Sequence, residues 1–349
     1  MSIIFAILLF SVLVFVHEFG HFITAKLSGV QVNEFSIFMG PALVKWKRGE
    51  TLYAIRCIPF GGYCAMEGED EESQNPRAFS RAKWWKKLCI LISGPAMNFV
   101  MGFLLVFAIL LPADGFLTPK IMEMDDGSAL AENGGIQPGD VILEIDDETV
   151  YIQSDFNLIL SARGEGVYDV LVLRDGEEVL LKDVNFERRT FGEETASRFG
   201  VTFGEVEEAD LLTTLKYTWL TSLDYVRSVK LGLEMLFNGS ASVSDMSGPV
   251  GIVNTMSEVT ETQESFGDKI MVILEFGALI SINLAVMNLL PIPALDGGRA
   301  VCLVLTVIVE KITRKKLDPK YERYLHAGGM VLLLGFMVII TFKDIIGLF

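Results

Sequence analysis

Apolar residues gather in four long runs, and the segments between them follow other patterns. Crossing the hydrocarbon core of a bilayer takes about 20 mostly apolar helical residues. Residues 3 to about 27, 88–111, about 270–290 and about 327–341 answer that description. The last is long enough only if Phe342 and the terminal Ile-Ile-Gly-Leu-Phe join it. After the first run the period drops to two. Thr51-Leu-Tyr-Ala-Ile-Arg56 alternates, with Gly40-Pro41 and Gly61-Gly62 as turn signals, which predicts a β-hairpin. Such a hairpin can dip into a membrane only if its backbone is paired or lines a wet cavity. Residues 115–206 read as one small soluble domain. They offer a short helix at 128–133, a Gly-Pro-Gly turn, a strand at 141–146, a second helix at 155–162 and a second strand at 167–173. Beyond it Leu212, Leu215, Trp219, Leu223, Val226, Leu233 and Leu236 recur in steps that suit one face of a helix. That helix is too polar to span, and it lies either on the outer membrane face or against the rest of the protein.

The predicted fold class is therefore a polytopic α-helical membrane protein of about four transmembrane helices. It carries a membrane-associated β-hairpin and an inserted extracytoplasmic domain. The boundaries fall at 1–114, 115–206, 207–245 and 246–349.

Composition agrees: 51% of the 349 residues are hydrophobic and mean hydropathy is +0.43, which excludes an ordinary soluble domain. The net charge of −16 is concentrated, because residues 113–213 hold 24 Asp and Glu against 7 Lys and Arg. So acidic a segment is unsuited to nucleic acid or anionic lipid, and no nucleic-acid partner is expected. Nine Lys and Arg lie in 28–87 and seven in 299–326. By the positive-inside rule those loops are cytoplasmic, and both termini and the acidic domain are outside. Trp84 and Trp85 suit the interfacial belt. Cys57, Cys64, Cys89 and Cys302 form no C-x-x-C pair and none lies in the acidic domain, so they read as reduced thiols. The first run has no positive n-region and no cleavage site, and it reads as a retained helix.

The chemistry begins inside that first run, at His17-Glu18-Phe19-Gly20-His21. Histidines four apart on a helix share one face and can reach one metal ion. Glu18 is turned to the side, next to the open position, where a carboxylate can deprotonate a water. Ionisable groups at membrane depth are expensive and mark function. A zinc hydrolase needs three protein ligands. The chain has only three histidines, so the third ligand is either His326, at the start of the fourth run, or an acid. Asp296 is the competing candidate. It follows two prolines that break the helix in Asn288-Leu-Leu-Pro291-Ile-Pro293-Ala-Leu-Asp296-Gly297-Gly298. Of the other polar groups in apolar runs, Asn98 and Asn283 suit interhelical hydrogen bonds, and Glu275 has no evident partner.

H-E-F-G-H together with N-L-L-P-I-P-A-L-D-G-G resembles the site-2 protease family of intramembrane zinc metalloproteases (M50), in its bacterial RseP-like branch. Pro59-Phe-Gly-Gly-Tyr63, Ser93-Gly-Pro-Ala-Met-Asn98 and Ser247-Gly-Pro249 fit as well. The run Gly135-Ile-Gln-Pro-Gly-Asp-Val-Ile-Leu-Glu-Ile-Asp146 resembles a bacterial PDZ domain, in one copy where the best-known Gram-negative members have two. The resemblance implies Zn2+ held by His17, His21 and Asp296, with Glu18 as catalytic base. It implies that Asn288 helps to bind substrate or to steady the site, that Pro291 contacts substrate, and that substrate pairs as a strand with the hairpin at Gly61 and Gly62. The implied substrates are single-span membrane proteins such as anti-sigma factors, or signal peptide remnants, cut after a first trimming. The implied place is the bacterial cytoplasmic membrane, with the active site toward the cytoplasm and a peptide ligand for the PDZ domain. Alternatives are a metal transporter, a PDZ scaffold without activity, and a tethered protease acting on soluble proteins.

Overall fold

The computed structural model describes residues 2–69, 73–191, 197–242, 246–315 and 320–347. Lys316 of the basic loop and the terminal Leu348 and Phe349 lie outside the described residues. The chain divides into two compact units, Met1–Leu105 with Ser242–Phe349, and Val106–Ala241.

The first unit opens with α1 (Ser2–Ser28). Gly29 ends it at φ +79°, letting its own N–H reach the carbonyl of Lys26 and that of Val30 reach Ala25. β1 (Val32–Arg48) and β2 (Thr51–Met66) follow as an antiparallel pair. Their connecting turn is Gly49-Glu50, with Gly49 at φ +62°. Gly40-Pro41 and Gly61-Gly62, expected as turns, instead lie within the strands at register shifts. There Phe38, Gly40 and Gly61 all take positive φ. The shifts give Glu34, Phe35, Ser36 and Ile37 a neighbour on each side, Leu52, Tyr53, Ala54 and Ile55 on one and Ala65, Cys64, Tyr63 and Gly62 on the other. The turn is tied to the end of α1. Arg77 and Lys26 both bind the Glu50 carboxylate, which they hold down at about 2. Phe15, Phe19 and Phe22 of α1 pack against Val32, Phe35, Cys64 and Met66, so the hairpin runs along the histidine helix. Then comes α2 (Trp84–Leu110).

The second unit contains β3 (Gly115–Leu117), β4 (Ile121–Met124), β5 (Val141–Ile145) and β6 (Glu148–Thr149). They are followed by α3 (Gln153–Arg163), β7 (Gly166–Arg174), β8 (Glu177–Phe186), β9 (Val201–Phe203), β10 (Val206–Glu208) and α4 (Leu211–Phe237). The sheet order is β6-β5-β7-β8, with β4 on β9 and β10 on β3 as separate pairs. Its core is aliphatic and aromatic: Ile121, Ile136, Ile142, Ile145, Phe156 and Phe186 among others. The helix expected at 128–133 is a 3-10 turn, Ala129–Gly134, cut short by Gly134-Gly135.

A buried ionic cluster joins α3 to α4. Asp155 takes the N–H groups of Tyr151 and Ile152 on one oxygen and Arg227 at 2.8 Å on the other. Asp224 accepts from Ser154 at 2.9 Å, and its Oδ1 is buried without a partner among the described residues. Burial, and then the neighbouring Asp155 carboxylate, push Asp224 up to about 7. The unfolded chain releases this proton near pH 4 and the folded chain keeps it until about 7. This contribution to stability is therefore full below pH 4, falls as pH rises from 4 to 7, and is flat above. Asp224→Asn should melt higher than the parent at pH 8, by an amount on the order of 2 kcal/mol. The advantage should shrink toward pH 5. Equal melting differences at the two pH values would refute the assignment of this proton to Asp224.

The chain then returns to the first unit with α5 (Pro249–Glu261), α6 (Phe266–Leu289), α7 (Asp296–Thr313) and α8 (Lys320–Gly347). Asp344 of α8 accepts from the N–H groups of Gly248 and Gly251, both at 2.9 Å, and so caps the start of α5. Among the described residues, four helices are long and apolar enough to cross a membrane: Phe5–Ser28, Trp84–Leu110, Phe266–Leu289 and Lys320–Gly347. They fit a polytopic membrane protein. Two helices, α5 and α7, went unforeseen. Sequence reading treated 299–326 as a basic loop, yet α7 occupies most of it. Val301, Leu305, Ile308 and Ile312 form an exposed apolar stripe along α7, a helix that also carries Asp296, Arg299, Glu310 and Lys311. Glu275 of α6 is exposed.

Candidate metal centre

His17 and His21 stand one turn apart in the second half of α1, so their rings project from one face. Asp296 is the first residue of α7. The connection from α6 to α7 passes through Pro291 and Pro293, with Ala294 at φ +82°, and folds tightly back. A Cβ on Gly297 would strike the carbonyls of Leu289 and Leu290, and one on Gly298 would strike that of Ile292. The two glycines therefore let the start of α7 press onto the end of α6. That compression delivers Asp296 to the histidines. Asp296 Oδ2 is 3.1 Å from His17 Nε2 and 3.3 Å from His21 Nε2, and the two Nε2 atoms are 3.2 Å apart. It is the one such cluster of three metal-ligating side chains among the described residues.

Backbone crowding from α2 fixes the rings. A Cβ on Gly20 would collide with the Ser93 carbonyl. A Cβ on Gly94 would collide with His21 Nε2, and would come within 2.9 Å of His17 Cε1. The two helices thus touch where the site lies. His21 Nδ1 donates to the Ile90 carbonyl at 2.7 Å, which leaves Nε2 with its lone pair free for a metal. His17 Nδ1 meets the Asn98 side-chain amide at 3.2 Å. Asn98 is buried, and its Oδ1 is otherwise without a partner among the described residues. Turning the amide so that Oδ1 accepts from His17 Nδ1–H satisfies that atom and frees His17 Nε2 as well.

These donors fit zinc. Two neutral imidazoles and a carboxylate are a common catalytic zinc set, and bonds of about 2.0–2.1 Å in a tetrahedron space the ligand atoms about 3.3 Å apart. The three side chains keep 14, 10 and 18% exposure, so the cluster is not fully enclosed by protein.

Glu18 is close enough for the charges of His21, His17 and Asp296 to act on it. Gly62 of β2 lies beside it: a Cβ there would be 3.6 Å from Glu18 Cγ and 2.9 Å from the Ser36 carbonyl. Gly61, at φ +74°, abuts Met39. Asn288 sits in the last turn of α6 and its side chain makes no hydrogen bond among the described residues, while Pro291 is exposed in the connection that follows. His326, the alternative third ligand, is not part of the cluster. Its Nδ1 instead accepts from the Ala294 N–H at 3.1 Å.

Sequence reasoning missed Gly94 and Ile90 as parts of the site, and saw Asn98 only as interhelical glue. A polar residue in an apolar run was the available signal for Asn98. For a carbonyl such as that of Ile90 the sequence carries none.

The chain is similar to known proteins over nearly its whole length. The sequence profile described as Peptidase family M50 matches residues 5–336. A protein of Clostridium acetobutylicum named as a candidate zinc metalloprotease is 36% identical over 347 residues, covering 99% of this chain and 97% of that protein. The zinc metalloprotease RasP of Oceanobacillus iheyensis is 29% identical over 430 residues, with 98% of each chain covered. The regulator of sigma-W protease RasP of Bacillus subtilis is 26% identical over 430 residues, covering 100% and 99%. The profile match begins in the first long helix and ends in the last, taking in both the H-E-F-G-H and the L-D-G-G segments, and the chain belongs to peptidase family M50.

Proposed function

We propose that this chain is a zinc metalloendopeptidase of the site-2 protease type, cutting peptide bonds within or near the transmembrane segment of single-span membrane proteins. The observation that carries the reading is the meeting of His17, His21 and Asp296 beside Glu18, on helices apolar enough to span. His17, His21 and Asp296 would hold the ion. Zinc bound there supplies Lewis acidity toward the scissile carbonyl and brings the pKa of water down to about 7. Glu18 takes the proton of the attacking water and hands it to the leaving nitrogen.

A substrate helix has its backbone bonded internally, so it must unwind before its carbonyl is reachable. The hairpin edge at Gly61 and Gly62, next to Glu18, offers the loosened segment strand pairing that re-satisfies its backbone. Asn288 and Pro291, on the approach to Asp296, are the other contacts we assign to substrate. Anti-sigma factors suit this role, a sigma-factor regulator being among the relatives, and signal peptide remnants suit it as well.

We read the Val106–Ala241 unit, with its four-stranded sheet β6-β5-β7-β8 and helix α3, as a PDZ domain. A groove of about 440 Å³ between α3 and β9, lined by Phe156, Leu160 and Phe199, suits an extended peptide there. By the distribution of charge this unit lies outside the bacterial cytoplasmic membrane and the metal centre lies toward the cytoplasm.

The test is metal removal. Protein reconstituted in liposomes with a single-span model substrate should lose cleavage on treatment with 1,10-phenanthroline and regain it when zinc is added back. Cleavage that persists in protein shown by atomic absorption to hold no zinc would overturn the reading.

A further inference from the structure

The α6–α7 connection raises a question about how Asp296 stays in place. Ala294, two residues before it, sits at φ +82°, which an alanine occupies only under constraint. The proline on its N-terminal side cannot donate a hydrogen bond. The constraint comes from α8, at two points on one helical face. Gly329 lets the backbone approach so closely that a Cβ would strike Pro293. Three residues earlier, His326 takes the Ala294 N–H on Nδ1 at 3.1 Å.

A backbone N–H can only donate, so Nδ1 carries no proton and neutral His326 holds its hydrogen on Nε2. That Nε2 is buried and has no hydrogen-bond partner among the described residues, the nearest acid being Glu322 Oε1 at 4.0 Å. A buried donor without a partner is costly. A leucine would fill the space without that cost, but would leave the Ala294 N–H unmet.

We propose that His326 is a positioning residue, whose Nδ1 locks the Ala294 turn and so holds Asp296 in ligand geometry. The inference rests on Asp296 being a zinc ligand, as in the proposed function. His326 touches neither the substrate site nor the metal cluster. Its effect on chemistry passes through the turn alone.

The experiment is a zinc affinity measurement, by chelator competition on the purified full-length protein, with thermal melting alongside. His326→Leu should bind zinc about 10–100-fold more weakly, the range for residues that orient ligands. His326→Asn places an acceptor oxygen where Nδ1 stood and should recover most of that loss. His326→Gln, whose acceptor lies farther out, should not. The Asn and Gln pair decides the matter even if the leucine variant does not fold. Wild-type affinity in the Leu or Gln variant would overturn the proposal, and so would an Asn variant as weak as Gln. Asp296→Asn, measured in parallel, separates the two levels. If it binds zinc normally the ligand reading itself fails. If it loses zinc while His326→Gln does not, only the positioning role fails.

Discussion

Glu18→Gln should leave zinc bound and stop the protease. The substitution keeps the size and the polar head of the side chain and removes only its capacity to take a proton. Glu18 is not one of the three atoms that converge, so zinc affinity should stay within a few-fold of wild type. The proton transfers, in contrast, have no substitute in reach. Among the described residues, the other charged groups that act on Glu18 are His17, His21, Asp296 and Glu69; the first three are committed to one another and Glu69 is paired with Arg299 at 2.6 Å. Loss of a positioned general base lowers turnover by about 10²–10⁴-fold. In a liposome assay with a single-span substrate that is below the detectable rate, whereas bound zinc measured by atomic absorption should be unchanged. Retained cleavage would take Glu18 out of its assigned role. Joint loss of zinc and cleavage would make it part of the metal-holding structure instead.

What could be read from the chain, and what could not, follows the range of each interaction. His17 and His21 announce themselves because a helix brings i and i+4 together whatever the rest of the protein does. The four spanning helices are equally local, being set by length and apolarity. Asp296 is different. Reading the residues alone left it level with His326, because neither spacing nor composition tells which distant acceptor returns to α1. The deciding contact is made by Gly297 and Gly298 against the carbonyls of α6, a packing event with no periodic signal. Gly94 belongs to the same class. The hairpin was legible as alternation, but its connecting turn was not, since Gly49-Glu50 is a weaker turn signal than Gly40-Pro41 or Gly61-Gly62. The stronger signals mark the points where the strands shift register. α7 escaped notice because its basic end dominated a reading of loop charge. Its apolar stripe spans only part of a longer segment.

Asp296→Asn carries the other large effect, and it separates the ligand from its surroundings. The amide has nearly the shape of the carboxylate, so Gly297, Gly298 and the Ala294 turn can keep their places and the fold should survive. What changes is the charge. The carboxylate is the only anion in the triangle of ligand atoms, and a neutral amide oxygen is a poor third partner to two imidazoles. Zinc affinity should fall by more than about 100-fold, beyond the range seen when an orienting neighbour is lost. Cleavage should fall with it and return only partly at high zinc. Normal zinc binding by this variant would remove Asp296 from the ligand set. The closure of α7 onto α6 would then need a different purpose, and the two glycines that permit it would be serving packing alone.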